Sequence, residues 1–122
     1  MTSVAAFDQM PAQEAADLLL DCCGARRWVD GMVVRRPFHL LGVLLGNADE
    51  VWSTMGPADF REAFEHHPRL GEARSSATQG DRAQTWSSGE QAGMTDASLE
   101  LRTKLAAANE AYEARFGFIC LF

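Results

Sequence analysis

The chain has 122 residues, 47% hydrophobic and 23% charged, which is the size and balance of one ordinary globular domain. Its net charge is −6, and neither half is basic: residues 1–60 hold four Arg and eight acids, residues 61–122 seven Lys or Arg and nine acids. This argues against nucleic acid as a partner, which needs a basic face, while leaving room for a small anion held by one placed Arg or a helix N-terminus.

Three cysteines, two of them adjacent (Cys22, Cys23 and Cys120), do not make a disulfide framework. No metal-ligand spacing, signal peptide or membrane-length apolar run is present, so a cytoplasmic protein without membrane attachment is expected. Helical periodicity dominates and no strand alternation stands out, which predicts an all-α, single-domain chain over residues 1–122.

In chain order, the first predicted helix runs from Pro11 to Cys23, with Ala15, Leu18, Leu19 and Cys22 inward and Gly24 ending it in the left-handed region. A short helix spans Arg27–Val34. A longer one spans Pro37–Met55, with Leu41, Leu44, Leu45, Ala48, Trp52 and Met55 predicted to face the core. Gly56-Pro57 opens the next, which runs to His66, pairs Phe60 with Phe64 and is stopped by Pro68. Residues 71–86 are polar and read as a long loop or a weak helix. Ser87-Ser88-Gly89-Glu90 fits a capping box and predicts a helix opening there. The last helix covers Thr95–Arg115, with a stripe of Leu101, Leu105, Ala108, Tyr112 and Phe116 and Gly117 as its terminator. The apolar tail from Phe118 to Phe122 predicts burial in a homodimer or by helix exchange.

Few side chains here suit chemistry. His67 lies just past a helix end, where proton transfer near neutral pH is open to it, although the helix dipole alone accounts for a histidine there. His66 reads as a solvated neighbour, since adjacent histidines chelate poorly. Glu90 with Ser87 is explained as a cap. The same helix N-terminus could turn Ser87, Glu90, Gln91 and free N–H groups toward a polar ligand. Arg69 and Arg74 are surface charges or partners for a carboxylate. Trp28 and Trp52 read as core residues, and Trp86 is open to either reading.

Taken in order, these residues resemble one family. The run is Cys23-Gly24, Trp28-Val29, Arg36-Pro37-Phe38, His67-Pro68-Arg69-Leu70-Gly71, Trp86-Ser87 with Glu90-Gln91-Ala92-Gly93, then Asn109, Tyr112 and Arg115-Phe116-Gly117-Phe118. It is similar to the bacterial form of the decarboxylases of 2-oxo-4-hydroxy-4-carboxy-5-ureidoimidazoline (OHCU), which give (S)-allantoin in urate breakdown. The resemblance implies a helical bundle with a ligand pocket between helices, no cofactor and no metal. It places catalytic roles on His67 and Glu90. It gives substrate contacts to Pro68, Ser87 and Gln91 and to the backbone from Phe118 through Ile119, Cys120, Leu121 and Phe122. The implied partner is a small anionic ureidoimidazoline. The family pattern continues beyond Phe122 into helices carrying an arginine for the substrate carboxylate. A fragment, a short member using Arg69, Arg74 or a partner subunit, or an inactive relative serving as a helical interaction domain would each account for the difference.

Overall fold

The computed structural model describes residues 2–69, 81–94 and 97–120. These are helical, with no strand among them: α1 Val4–Gln9, α2 Ala12–Cys22, α3 Arg26–Val34, α4 Leu41–Trp52, α5 Pro57–Glu65, α6 Asp81–Glu90, a 3-10 turn Ala92–Met94, and α7 Leu99–Phe116. The chain divides into two compact units, Met1–Glu62 and Ala63–Phe122.

In the first unit α1 is unannounced by periodicity, because six residues hold too few turns to show one. It forms because the Ser3 hydroxyl caps it by accepting from the Ala6 N–H at 3.1 Å. Its far end is held by Arg36, whose Nη1 donates to the carbonyls of Phe7 and Met10, both at 2.8 Å. Both are carbonyls of the helix end, and the Phe7 carbonyl also accepts from the Met10 N–H at 3.3 Å. The Arg36 guanidinium also lies 5.5 Å from the Phe7 ring centre, and Phe7 stacks on Phe38 at 6.3 Å. Asp8 completes the clasp, accepting from the N–H of Phe38 at 2.9 Å and of His39 at 2.8 Å. Burial pulls the Asp8 carboxyl upward. The two N–H donors and the charges of His39 and Arg36 outweigh it and leave the group below the ordinary aspartate range. Arg36-Pro37-Phe38 is thus a structural clasp between α1 and the entry to α4.

Helices α2, α3 and α4 enclose the core of this unit, which includes Phe7, Leu19, Trp28, Val29, Met32, Phe38, Val51 and Met55. Three expectations need correction. Gly24 does not take the left-handed region; α2 ends on Cys23 in extended geometry (φ −147°), and the chain runs on directly into α3. Cys22 is exposed rather than a core residue. Cys23 is half-buried, and that burial, with the Glu62 charge nearby, pushes its thiol up against a smaller opposing hydrogen bond from Ala25.

The third correction concerns α4. Half of the predicted stripe faces outward: Leu41 is 60% exposed, Leu45 53% and Trp52 48%. Leu44 and Ala48 are half-buried and Met55 buried, as predicted, and the buried position the stripe left out is Val51. The first half of α4 is apolar on every side, so periodicity cannot choose its rotation. Partners on and around α3 choose it. Trp28 Nε1 donates to the Ala48 carbonyl at 3.3 Å, and Arg35 donates to Asn47 at 3.0 Å and Glu50 at 2.9 Å. Glu62 finishes the unit by accepting from the Arg26 N–H at 2.6 Å, a cap from α5 for a helix whose own Ala25 offers none.

In the second unit α7 begins at Leu99, four residues later than the predicted start at Thr95. Ser98 is the N-cap, accepting from the Leu101 N–H at 3.2 Å. Its predicted apolar stripe is also misplaced. Leu101, Ala108 and Phe116 are exposed, Leu105 and Tyr112 half-buried, and the buried position is Asn109. Gly117 does end the helix, at φ 82°, donating to the Glu113 carbonyl at 2.8 Å.

Candidate active site

The second unit holds most of the residues singled out in the sequence. After α5 the chain tightens: His66 N–H donates to the Ala63 carbonyl at 3.1 Å and His67 N–H to the Phe64 carbonyl at 3.0 Å. His67 thus sits just past the helix end, as its spacing to Pro68 predicts, and its side chain is exposed. Its Nδ1 lies 2.8 Å from the Pro68 carbonyl oxygen. A carbonyl can only accept, so Nδ1 carries the hydrogen in this arrangement. The lone pair of the neutral ring then falls on Nε2.

Pro68 is buried, and Arg69 beyond it is held in two parallel bonds. Arg69 Nε and Nη2 donate to Glu113 Oε2 and Oε1, each at 2.6 Å. This fork-on-fork geometry is the strongest form of an arginine–carboxylate contact. The Arg69 bonds hold the Glu113 carboxyl below the ordinary glutamate range, against a smaller opposing effect of burial. That edge of Arg69 is therefore engaged within the protein. Arg74, the other candidate for a substrate carboxylate, lies outside the described residues.

Gln91 joins the same turn. Its Nε2 donates to the Arg69 carbonyl at 3.5 Å, a long bond across 22 residues of sequence. The two segments that carry the resemblance, His67-Pro68-Arg69 and Glu90-Gln91, therefore meet at Arg69. Ser87 and Glu90 are not at a helix start, and this corrects the capping-box expectation. Helix α6 begins at Asp81, so Ser87 falls in its last turns and Glu90 is its final residue. The backbone N–H groups of residues 87–90 consequently serve the helix ladder rather than presenting a free N-terminus. The side chains of Ser87 and Glu90 lie outside the described ones.

The tail is the third component. The Phe118 ring packs 5.5 Å from Phe64 and 6.0 Å from Tyr112, centre to centre, and Ile119 is buried. Phe118 thus finds aromatic partners within the unit, Ile119 is buried and Cys120 half-buried. Leu121 and Phe122 lie outside the described residues. Glu113 is the residue that sequence reasoning missed. Its only sequence signal is its place between Tyr112 and Arg115-Phe116-Gly117, and nothing local announces a partner 44 residues away. Among the described residues no group of three or more His, Cys, Asp or Glu is placed to hold a metal ion, and no helix is long and apolar enough to cross a membrane.

The described residues are helical, with His67 just past a helix end and an arginine–glutamate fork two residues further along. The family model described as OHCU decarboxylase matches residues 8–122, nearly the whole chain, and the chain belongs to that family. Membership supports a decarboxylase function in purine catabolism at the level of the family, with a small molecule as substrate. No curated protein matches the chain significantly.

Proposed function

We propose that this protein decarboxylates 2-oxo-4-hydroxy-4-carboxy-5-ureidoimidazoline to (S)-allantoin without a cofactor. The substrate carries its own electron sink. The bond from C4 to the carboxylate breaks, CO2 leaves, and the electron pair passes into the adjacent C–N unsaturation of the ring. What is left for the protein is to orient the carboxylate out of the ring plane and to control protons.

In this reading His67 Nε2 hydrogen-bonds the C4 hydroxyl or carboxylate and manages the proton on one face, which sets the (S) configuration. Glu90 orients or relays with His67. Gln91, Ser87, Pro68 and the backbone from Phe118 onward hold the ureido and ring oxygens. The observation that carries the proposal is the His67 ring, with Nδ1 2.8 Å from the Pro68 carbonyl, inside the motif on which the family resemblance rests. The alternative, a non-catalytic interaction domain using its tail, draws no support from Phe118, whose ring packs on Phe64 and Tyr112 of its own unit.

The test is direct. Purified protein is given freshly generated substrate, and the optical activity of the allantoin is followed. Stereospecific formation well above the spontaneous rate is expected, with a loss of at least about 100-fold in His67→Asn and Glu90→Gln. Near-normal rates in the His67 variant would remove the assignment.

A further inference from the structure

We propose that Glu113 is the positioning residue of this site, binding the His67–Arg69 turn and the Gly117–Cys120 segment into one rigid frame. The inference rests on the function proposed above for the meaning of "site", but its geometry stands independently. Glu113 acts through both ends of the residue. Its carboxylate receives Nε and Nη2 of Arg69, each at 2.6 Å. Its own carbonyl receives the Gly117 N–H at 2.8 Å, the bond that closes α7 and sends the chain into the tail. Arg69 in turn offers its carbonyl to Gln91. Arg69 thus links α7 through Glu113 with the segment of Gln91, and the same α7 residue closes the helix ahead of the tail.

The side chain that would do chemistry, His67, is exposed and lies two residues before Arg69. Its ring is fixed only as well as the Pro68 carbonyl is fixed. A bidentate pair one residue further along restrains that carbonyl, because the planar fork permits little rotation of the Arg69 stem. Glu113 touches neither His67 nor the tail side chains by any hydrogen bond described. Its effect is therefore on placement, and misplacement by a fraction of an ångström is what catalysis tolerates least.

The test compares wild type with Glu113→Gln and with the exchanged pair Arg69→Glu/Glu113→Arg, each first checked for folding by circular dichroism. In the folded Gln variant kcat is expected to fall about tenfold while KM changes less than about threefold. Amide exchange is expected to quicken together at His67, Arg69 and residues 118–120, and the exchanged pair should recover part of both losses. A folded Gln variant with wild-type kcat would overturn the proposal. So would a fall in kcat with unchanged exchange in both segments. If wild type itself yields no allantoin above background, the proposed function falls. The coupled exchange of the two segments then decides the positioning role alone, and independent exchange in them would overturn it.

Discussion

A β-carbon built on Gly31 would lie 2.7 Å from Cγ1 of Val51, so α3 and α4 are in close contact at this pair. Val51 is buried and β-branched, so its methyl groups cannot swing aside cheaply. The contact fixes the rotation of α4, because the gap at Gly31 accepts one side chain from the facing helix.

Gly31→Ala should therefore destabilise the protein by about 1–2 kcal/mol, although alanine is the better helix former by roughly 1 kcal/mol. Urea unfolding would measure it. In the double variant Gly31→Ala/Val51→Ala the clash is removed, so the loss should be smaller than the sum of the two single losses. Strict additivity would show that Gly31 is not the point of contact.

Asp8 predicts an acid limb in stability. Its carboxyl is depressed when folded, so its contribution is complete above the ordinary aspartate range and is lost as pH falls through the lower, folded value. Asp8→Asn keeps the shape and loses the charge. The variant should be less stable at neutral pH and should approach wild type as pH falls below the ordinary aspartate range. Thermal midpoints across that window provide the measurement, and parallel curves would exclude the clasp as a source of the acid limb. Glu113, depressed by Arg69, contributes a limb of the same sign that persists in the Asp8 variant.

Gly117 supplies a third test. At φ 82° a side chain is strained, so Gly117→Ala should cost about 1 kcal/mol in thermal or urea unfolding. The strain falls on the step from α7 into Phe118. The variant should therefore also loosen the Phe118 ring against Phe64 and Tyr112, visible as altered aromatic proton shifts. An unchanged midpoint would mean that the helix ends elsewhere in solution.

Much was legible in the chain. Pro57 and Gly117 marked a helix start and a helix end because each acts through its own backbone. The position of His67 past α5 followed from Pro68, which cannot continue a helix. Trp28 was read as core and is buried. The capping box at Ser87 misled, because serine three residues before glutamate has the same spacing inside a helix as at its start. Around α4, Leu41 and Leu45 misled because Leu40, Leu41, Val43, Leu44 and Leu45 are apolar on all sides, while Leu44, Ala48 and Met55 turn inward as predicted.

The sequence by itself determined the helical class, the approximate span of the longer helices and the order of the motifs that mark the family. Those properties depend on residues within a turn or two of one another. Only the tertiary structure decided which face of α4 is buried, that Arg36-Pro37-Phe38 is a clasp, and that Arg69 belongs to Glu113. The reason is physical: a helix face or an ion pair is selected by a partner far along the chain. Which of several equally suitable carboxylates meets an arginine is settled only when the backbone between them has folded.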